Sequence, residues 1–332
     1  MRVLVTGATG FIGSALCGEL CREGHTVAAF HRPTSTINNI SSFSLTRLIG
    51  DLTDEDSVMQ AVSTFHPQVI YHLGAQMNAA PTINRIMQVN VLGTRAVLLA
   101  ALRNGVDRVV LMSSAAALGL PDAYYHNENQ SPASINESRV QSVESDLWPF
   151  AKSKYLAEME AQSAATGGLD TVIVNPFMVI GPGDWYRRKS SLLLQMKTEQ
   201  PKMMIHGGIN VISVQDTVIG LINACRYGKS GERYLLCGEN VTYRQFFEMC
   251  GEIAGFESPR LLFENETLSR IMVQFGVGQN LHIECLEGSI FAYPNRYFYY
   301  DPKKSRVALH LPPLSDLETT IRDTYHWFEE NV

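Results

Sequence analysis

What is scarce in this chain narrows its function before any motif is read. Six cysteines (Cys17, Cys21, Cys225, Cys237, Cys250 and Cys285) form no CxxC pair, and the histidines are scattered. Metal-ligand spacing is therefore absent. Cys17 and Cys21, four apart in a predicted helix, read as small buried or half-buried side chains, so neither disulfide nor metal is expected. The longest basic cluster is Arg187-Arg188-Lys189, and the net charge is −6, which argues against nucleic acid as a main partner. No apolar run approaches the roughly 18 residues of a membrane span. A strand starting at residue 2 leaves no room for a signal peptide, so a reducing, cytoplasmic setting is expected. Internal repeats and low-complexity tracts are missing too. What remains is a 332-residue chain, 45% hydrophobic and 18% charged. Its length suits one large soluble domain or two modest ones.

Short β-branched runs alternate with helical segments over the first half. Strands are predicted at 2–7, 25–31, 45–51, 68–75, 108–116 and 170–177, with helices between them. The longest of these helices runs through "NRIMQVNVLGTRAVLLAALRNG". This alternation predicts right-handed βαβ units and an α/β fold with a doubly wound parallel sheet. The pattern changes after Pro176. The expected division is a dinucleotide-binding domain over 1–177 and a smaller mixed lobe, mainly substrate-binding, over 178–332. Residues 212–228 are expected to return to the first domain as a strand and a helix.

"VLVTGATGFIGSAL" sets Gly7, Gly10 and Gly13 between the first strand and its helix, with Thr9, Phe11 and Ile12 in the same loop. Gly7 permits the tight turn, Gly10 lets backbone approach a pyrophosphate, and Gly13 allows close helix–strand packing. The helix N-terminus offers unpaired N–H groups to that anion. A glycine-rich turn without a ligand is the bland alternative, disfavoured by this position in a βαβ series. An acid normally ends the second strand where NAD is bound; here the place reads Phe30-His31-Arg32-Pro33. A carboxylate would repel a 2′-phosphate, whereas Arg32 can clamp one. NADP is therefore expected over NAD, the alternative being that Arg32 is only a solvated surface residue. Asp51, at a strand end, is placed to accept from the adenine amino group.

"DLWPFAKSKYLAE", residues 146–158, opens another helix, with Phe150 and Lys154 one turn apart on one face. Taken in order, "TGATGFIG", "GDLTD", "YHLGA", "NVLGT" and "SSAAALG" make the chain resemble the extended short-chain dehydrogenase/reductases. "NPFMVIGPGD" and "YYDPKKSRVAL" bring it nearer the dihydroflavonol reductase-like and hopanoid-associated sugar-epimerase-like branch. The resemblance covers about residues 1–255 well. It implies that Gly7, Gly10 and Gly13 hold a pyrophosphate, with His31 and Arg32 at the 2′ end. Asp51 and Leu52 would flank the adenine; Leu73, Gly74, Ala75 and Pro176 would line the rest of the cofactor. Asn90 would steady the active-site helix or only bond within its own helix. Ser114 matches the family's catalytic Ser/Thr, with Ser113 its neighbour, and Lys154 the lysine that binds the nicotinamide ribose.

The family's catalytic Tyr falls on Phe150, which has no proton to give. Three accounts are open: an engineered Tyr-to-Phe replacement, a natural one with another donor, or a non-catalytic NADP-binding module. Tyr124 and Tyr125 are the candidate donors, since Tyr155 points about 140° away around the helix. The resemblance implies a reductase of a small, lipophilic ketone or aldehyde, or alternatively a sugar-nucleotide epimerase or dehydratase. It also implies a homodimer formed through helices 82–104 and 150–166.

Overall fold

The computed structural model describes residues 1–77, 83–121, 148–185, 192–199, 203–265 and 293–331, with positions 136, 267, 268 and 271 besides. Tyr124, Tyr125, Arg187, Arg188, Lys189 and Cys285 lie outside the described residues.

The β-branched runs become β1 (Arg2–Thr6), β2 (Thr26–His31), β3 (Thr46–Ile49), β4 (Val69–His72), β5 (Arg108–Met112) and β6 (Thr171–Pro176). Helices α1 (Phe11–Arg22), α2 (Glu55–Phe65), α3 (Ile83–Met87), α4 (Gly93–Arg103) and α5 (Pro149–Thr166) connect them. With β10 (Arg233–Leu236) they form a seven-stranded parallel sheet in the order β10-β6-β5-β4-β1-β2-β3. Strand order reverses beside β1, and the crevice outside the carboxyl ends there is where such sheets bind ligands. Strands buried on both faces need helices on both. One face is sealed by α1 and α7 (Val214–Tyr227), the other by α2 and α4.

The stretch 212–228 is split between two layers. Helix α7 packs on the parallel sheet, but the residues before it belong to β9 (Gly207–Ser213), the centre of a second sheet. That sheet contains β11 (Glu239–Thr242), β13 (Arg296–Phe298) and β7 (Met178–Ile180). All seven β9 residues are buried, so its apolar pattern reflects a central strand of the smaller sheet. The strand that returns to the large sheet is β10. Helix α8 (Tyr243–Ala254) and α10 (Leu317–Asn331) pack on the second sheet. A short pair, β8 (Met203–Ile205) with β12 (Leu261–Phe263), lies beside it, and α9 (Lys303–Ala308) rests on β10.

The long predicted helix is also divided. A π-helical turn, Gln88–Leu92, separates α3 from α4, a bulge that re-aims the side chains it carries. Against the sequence expectation, the stretch Ile83–Arg103 is long and apolar enough by composition to cross a membrane. It is 56% buried within the protein, against the sheet and α2, as a core helix is.

Candidate active site

Three loops meet at the carboxyl edge of the large sheet. The first follows β1. Gly7 has φ +69°, and a Cβ there would lie 2.7 Å from the Gly74 amide nitrogen. Only glycine therefore lets this turn pass the loop after β4. A Cβ on Gly13 would lie 2.1 Å from the Gly7 carbonyl oxygen. Gly10 caps α1 without any side-chain bond, so the first-turn N–H groups keep their capacity for an anion. Thr9 is buried, Phe11 and Ile12 half-buried, and the Thr9 carbonyl accepts from Asn39 Nδ2.

The second loop lies at the ends of β2 and β3. His31 is buried; its Nδ1 donates to the Arg32 carbonyl at 2.9 Å, which leaves Nε2 as an unpartnered acceptor. Arg32 is exposed and makes no ion pair among the described residues. Asp51 Oδ1 accepts from the Thr53 amide and hydroxyl, and Oδ2 faces Arg85 at 3.4 Å. Burial opposes ionisation of Asp51, but the Thr53 hydrogen bonds and the charges of Arg85 and Arg32 outweigh it and lower the pKa. Leu52 packs on the glycines of two neighbouring segments: a Cβ on Gly74 would meet its Cδ1 at 2.6 Å, one on Gly93 its Cβ at 3.0 Å. Leu73 is buried; Gly74 and Ala75 are half-exposed at the mouth.

The third loop carries the chemistry. Ser114 follows β5 by two residues and caps a single 3₁₀ turn, Ala115–Leu118, its Oγ accepting from the Ala116 amide at 3.2 Å. That leaves the hydroxyl hydrogen without an acceptor among the described residues. Ser113 points the other way, donating to Glu158 Oε1 at 2.5 Å. Ser114, not Ser113, is thus the hydroxyl with a proton to offer. Helix α5, started by Pro149 in its first turn, packs on the 3₁₀ turn. Lys154 Nζ, almost fully buried, donates to the Met112 carbonyl at 2.9 Å and lies 5.8 Å from the centre of the Phe150 ring. Burial lowers the Lys154 pKa to about 8, against an upward pull from Glu158. Ser114, Phe150 and Lys154 are therefore brought together, and Pro176 ends the neighbouring strand β6. Tyr155 packs into the lobe core.

A chain of hydrogen bonds ties the first loop to the third. The Gly74 amide donates to Thr6 Oγ1 (3.2 Å), which donates to His72 Nδ1 (2.6 Å). His72 Nε2 donates to Thr94 Oγ1 (3.0 Å), which donates to the Asn90 carbonyl (2.7 Å). Because Thr94 spends its hydrogen on that carbonyl, His72 Nε2 carries a hydrogen, and in the neutral ring Nδ1 is the acceptor for Thr6. Burial, with Lys154 nearby, pushes its pKa down to about 3. Asn90, within the π-helical turn, exchanges bonds with Gln76 N (2.7 Å) and O (3.0 Å) and donates to Ser153 Oγ (2.8 Å). Ser153 in turn donates to the Phe150 carbonyl at 2.7 Å. Asn90 thus steadies the active-site helix through its side chain rather than bonding only within its own helix. His72 was missed in the sequence; a histidine ending a buried strand directly before "LGA" was the available signal.

The residues fit a bound dinucleotide. The buried Lys154 ammonium has one acceptor among the described residues and two N–H groups to spare, suited to ribose hydroxyls. The glycine turn is a side-chain-free cradle, and His31 Nε2 awaits a donor at the adenosine end.

Known proteins share this sequence pattern and fold. Residues 3–237 match the NAD dependent epimerase/dehydratase family. A Synechocystis sp. protein provisionally named dihydroflavonol 4-reductase is 30% identical, over 98% of this chain and 94% of its own. Sterol demethylase protein B of Methylococcus capsulatus is also 30% identical, over 99% of each chain. The crystal structure of gox2253 superposes with a TM-score of 0.82 at 28% identity, covering 99% of this chain and 98% of that one. The chain belongs to the NAD-dependent epimerase/dehydratase family of extended short-chain dehydrogenase/reductases, which are NAD(P)-dependent oxidoreductases.

Proposed function

We propose that this site is that of an NADPH-dependent reductase acting on a ketone or aldehyde of a small, lipophilic substrate, with the proton-donating position held by Phe150. The observation that carries the reading is the convergence of a hydroxyl with a free hydrogen, Ser114, and an under-coordinated buried ammonium, Lys154, at the end of β5. A bound nicotinamide would supply the hydride. Ser114 would donate to the substrate carbonyl oxygen and stabilise charge developing there. Lys154 would hold the cofactor ribose through its two spare N–H groups. Phe150 can occupy the space of a phenol but cannot pass a proton, and loss of a general acid removes about 10²–10⁴ in rate. Cofactor binding needs neither function of a phenol, so it is expected to survive.

An aromatic layer supports a lipophilic substrate. Phe177 stacks on Phe298 (5.4 Å) and meets Tyr300 (5.2 Å), while Trp148 meets Phe298 edge-on (5.7 Å). Tyr300 donates to the Ala115 carbonyl at 3.4 Å, next to Ser114. These rings are buried in the lobe core or packed against it, so they make the surroundings of the Ser114 turn apolar. NADP over NAD rests on the exposed, unpaired Arg32. The family also holds epimerases and dehydratases, which return their cofactor. A non-catalytic module would bind NADPH without turnover.

The Phe150→Tyr chain given NADPH and a panel of ketones separates these readings. Stoichiometric loss of NADPH absorbance supports the reductase. Product from a sugar nucleotide with no net absorbance change supports the epimerase, and neither, with NADPH bound, supports the module. A homodimer through 82–104 and 150–166 is part of the proposal, supported by exposed Ile83, Leu92, Leu99 and Leu102 on the first of these stretches. Light scattering at micromolar concentration tests it: a monomer mass rejects it.

A further inference from the structure

Under Ser114 and Lys154 lies a buried ionic network that the proposed chemistry does not use directly. Glu158 sits one helical turn after Lys154 on α5 and is fully buried. Its carboxylate accepts from Ser113 Oγ at 2.5 Å and from Asn175 Nδ2 at 2.6 Å, and it pairs with Arg233 of β10. Asn175 Nδ2 also donates to the Ser114 carbonyl at 2.9 Å. One carboxylate thus ties the ends of β5 and β6 and the start of β10 to the active-site helix.

Buried ion pairs of this kind add little stability over well-packed apolar side chains, because desolvation offsets their attraction. The placement suggests another use. Three ionisable groups face or back Lys154 among the described residues: Glu158 from its own helix, His72 from β4, and Arg233 behind Glu158. Burial keeps His72 uncharged, so among the described residues Glu158 is the charged group that acts on that ammonium. Arg233, Ser113 and Asn175 surround the carboxylate with charge-assisted and neutral donors.

We propose that Glu158, held by Arg233, is a positioning residue that keeps Lys154 charged at the cofactor and fixes the backbone of Ser114 through Asn175. The inference rests on the placement of Lys154 at the cofactor ribose argued above. Removing the carboxylate's charge leaves Lys154 buried without a counter-ion, so its neutral form gains.

The chain has eight lysines, so [ε-13C]lysine labelling can follow Lys154 by NMR, its signal assigned by its loss in K154R. Glu158→Gln keeps the shape and both neutral hydrogen bonds. It is expected to lower the Lys154 titration midpoint by about one pH unit or more. The double variant E158Q/R233M does not strand the Arg233 guanidinium and should move the midpoint the same way, which keeps the test open if the single variant does not fold. Glu160→Gln, on the exposed side of the same helix, should leave it in place. NADPH fluorescence titration should show affinity falling roughly fivefold at pH 8 in E158Q, since moving the midpoint from about 8 down by one unit takes the charged fraction from about one half to about one tenth, and recovering at pH 6.5. An unmoved midpoint in both Glu158 variants overturns the proposal. A moved midpoint with unchanged NADPH affinity supports the charge-holding role of Glu158 but overturns the placement of Lys154 at the cofactor.

Discussion

The two ends of the large sheet's carboxyl edge are built from different materials. At β1, the grip is backbone: Gly7, Gly10 and Gly13 contribute no side chain, and neighbouring strands press to within van der Waals distance of where a Cβ would stand. At β5 and β6, the edge is dense with side chains: Ser113, Ser114, Glu158 and Asn175 share a continuous set of buried bonds, and Lys154 bonds beside them to the Met112 carbonyl. A backbone cradle recognises a pyrophosphate by shape and N–H direction, so it tolerates change around it but none within. A side-chain network can lose one chemical group and keep its form. On the proposed reading Phe150 is such a case: it sits in the core with Lys154 and Ser114 in place, and would lack only the capacity to pass a proton.

That contrast can be broken from either end. The largest effect is expected at the cradle. Gly13→Ala puts a methyl group 2.1 Å from the Gly7 carbonyl, so the loop must shift. NADPH affinity should fall at least tenfold and stability by about 1–3 kcal/mol, read by fluorescence titration and urea unfolding. Unchanged affinity would mean that the turn is not the pyrophosphate site.

Arg32→Leu is expected to act more narrowly. Its exposed guanidinium contributes nothing visible to folding, so stability should hold while NADPH affinity falls about tenfold, the worth of a charge-assisted bond. NADH affinity should stay the same. Equal loss for both cofactors would show that Arg32 does not read a 2′-phosphate.

The smallest effect is at the relay between the two ends. His72 has its folded pKa depressed to about 3, whereas an unfolded histidine titrates near 6.5. Between those values the unfolded state binds more protons, so stability rises with pH; it is complete above about 6.5 and is lost as pH falls toward 3. His72→Asn should flatten the fall in unfolding midpoint across that window, measured against the unaltered chain. An identical slope would mean that His72 is already charged in the folded protein.

The same division decides what the sequence could disclose. The cradle was legible because its parts are contiguous: three glycines within seven residues, between a strand and a helix. Ser114 and Lys154 were legible because each sits in a short motif of its own. Arg233 and Glu158 were not, being 75 positions apart and joined only by folding. The π-helical turn at Asn90 was hidden in an unbroken helical pattern, since a one-residue bulge barely disturbs apolar periodicity. The strand 233–236 joins the large sheet although it lies within the lobe's stretch of sequence, because α7 first crosses back over that sheet. Ser113 and Ser114 are adjacent and identical in type; the motif pointed to Ser114, and the fold adds that Glu158 occupies Ser113.

The central claim is that a reductase site is complete here except for one hydroxyl. The most direct test is the rate of NADPH oxidation with a saturating ketone in the unaltered and Phe150→Tyr chains, with cofactor affinity measured in both. The account expects the tyrosine chain to be faster by about 10²–10⁴ with NADPH affinity unchanged. Equal rates across the ketone panel, or a gain that tracks tighter cofactor binding alone, would contradict it.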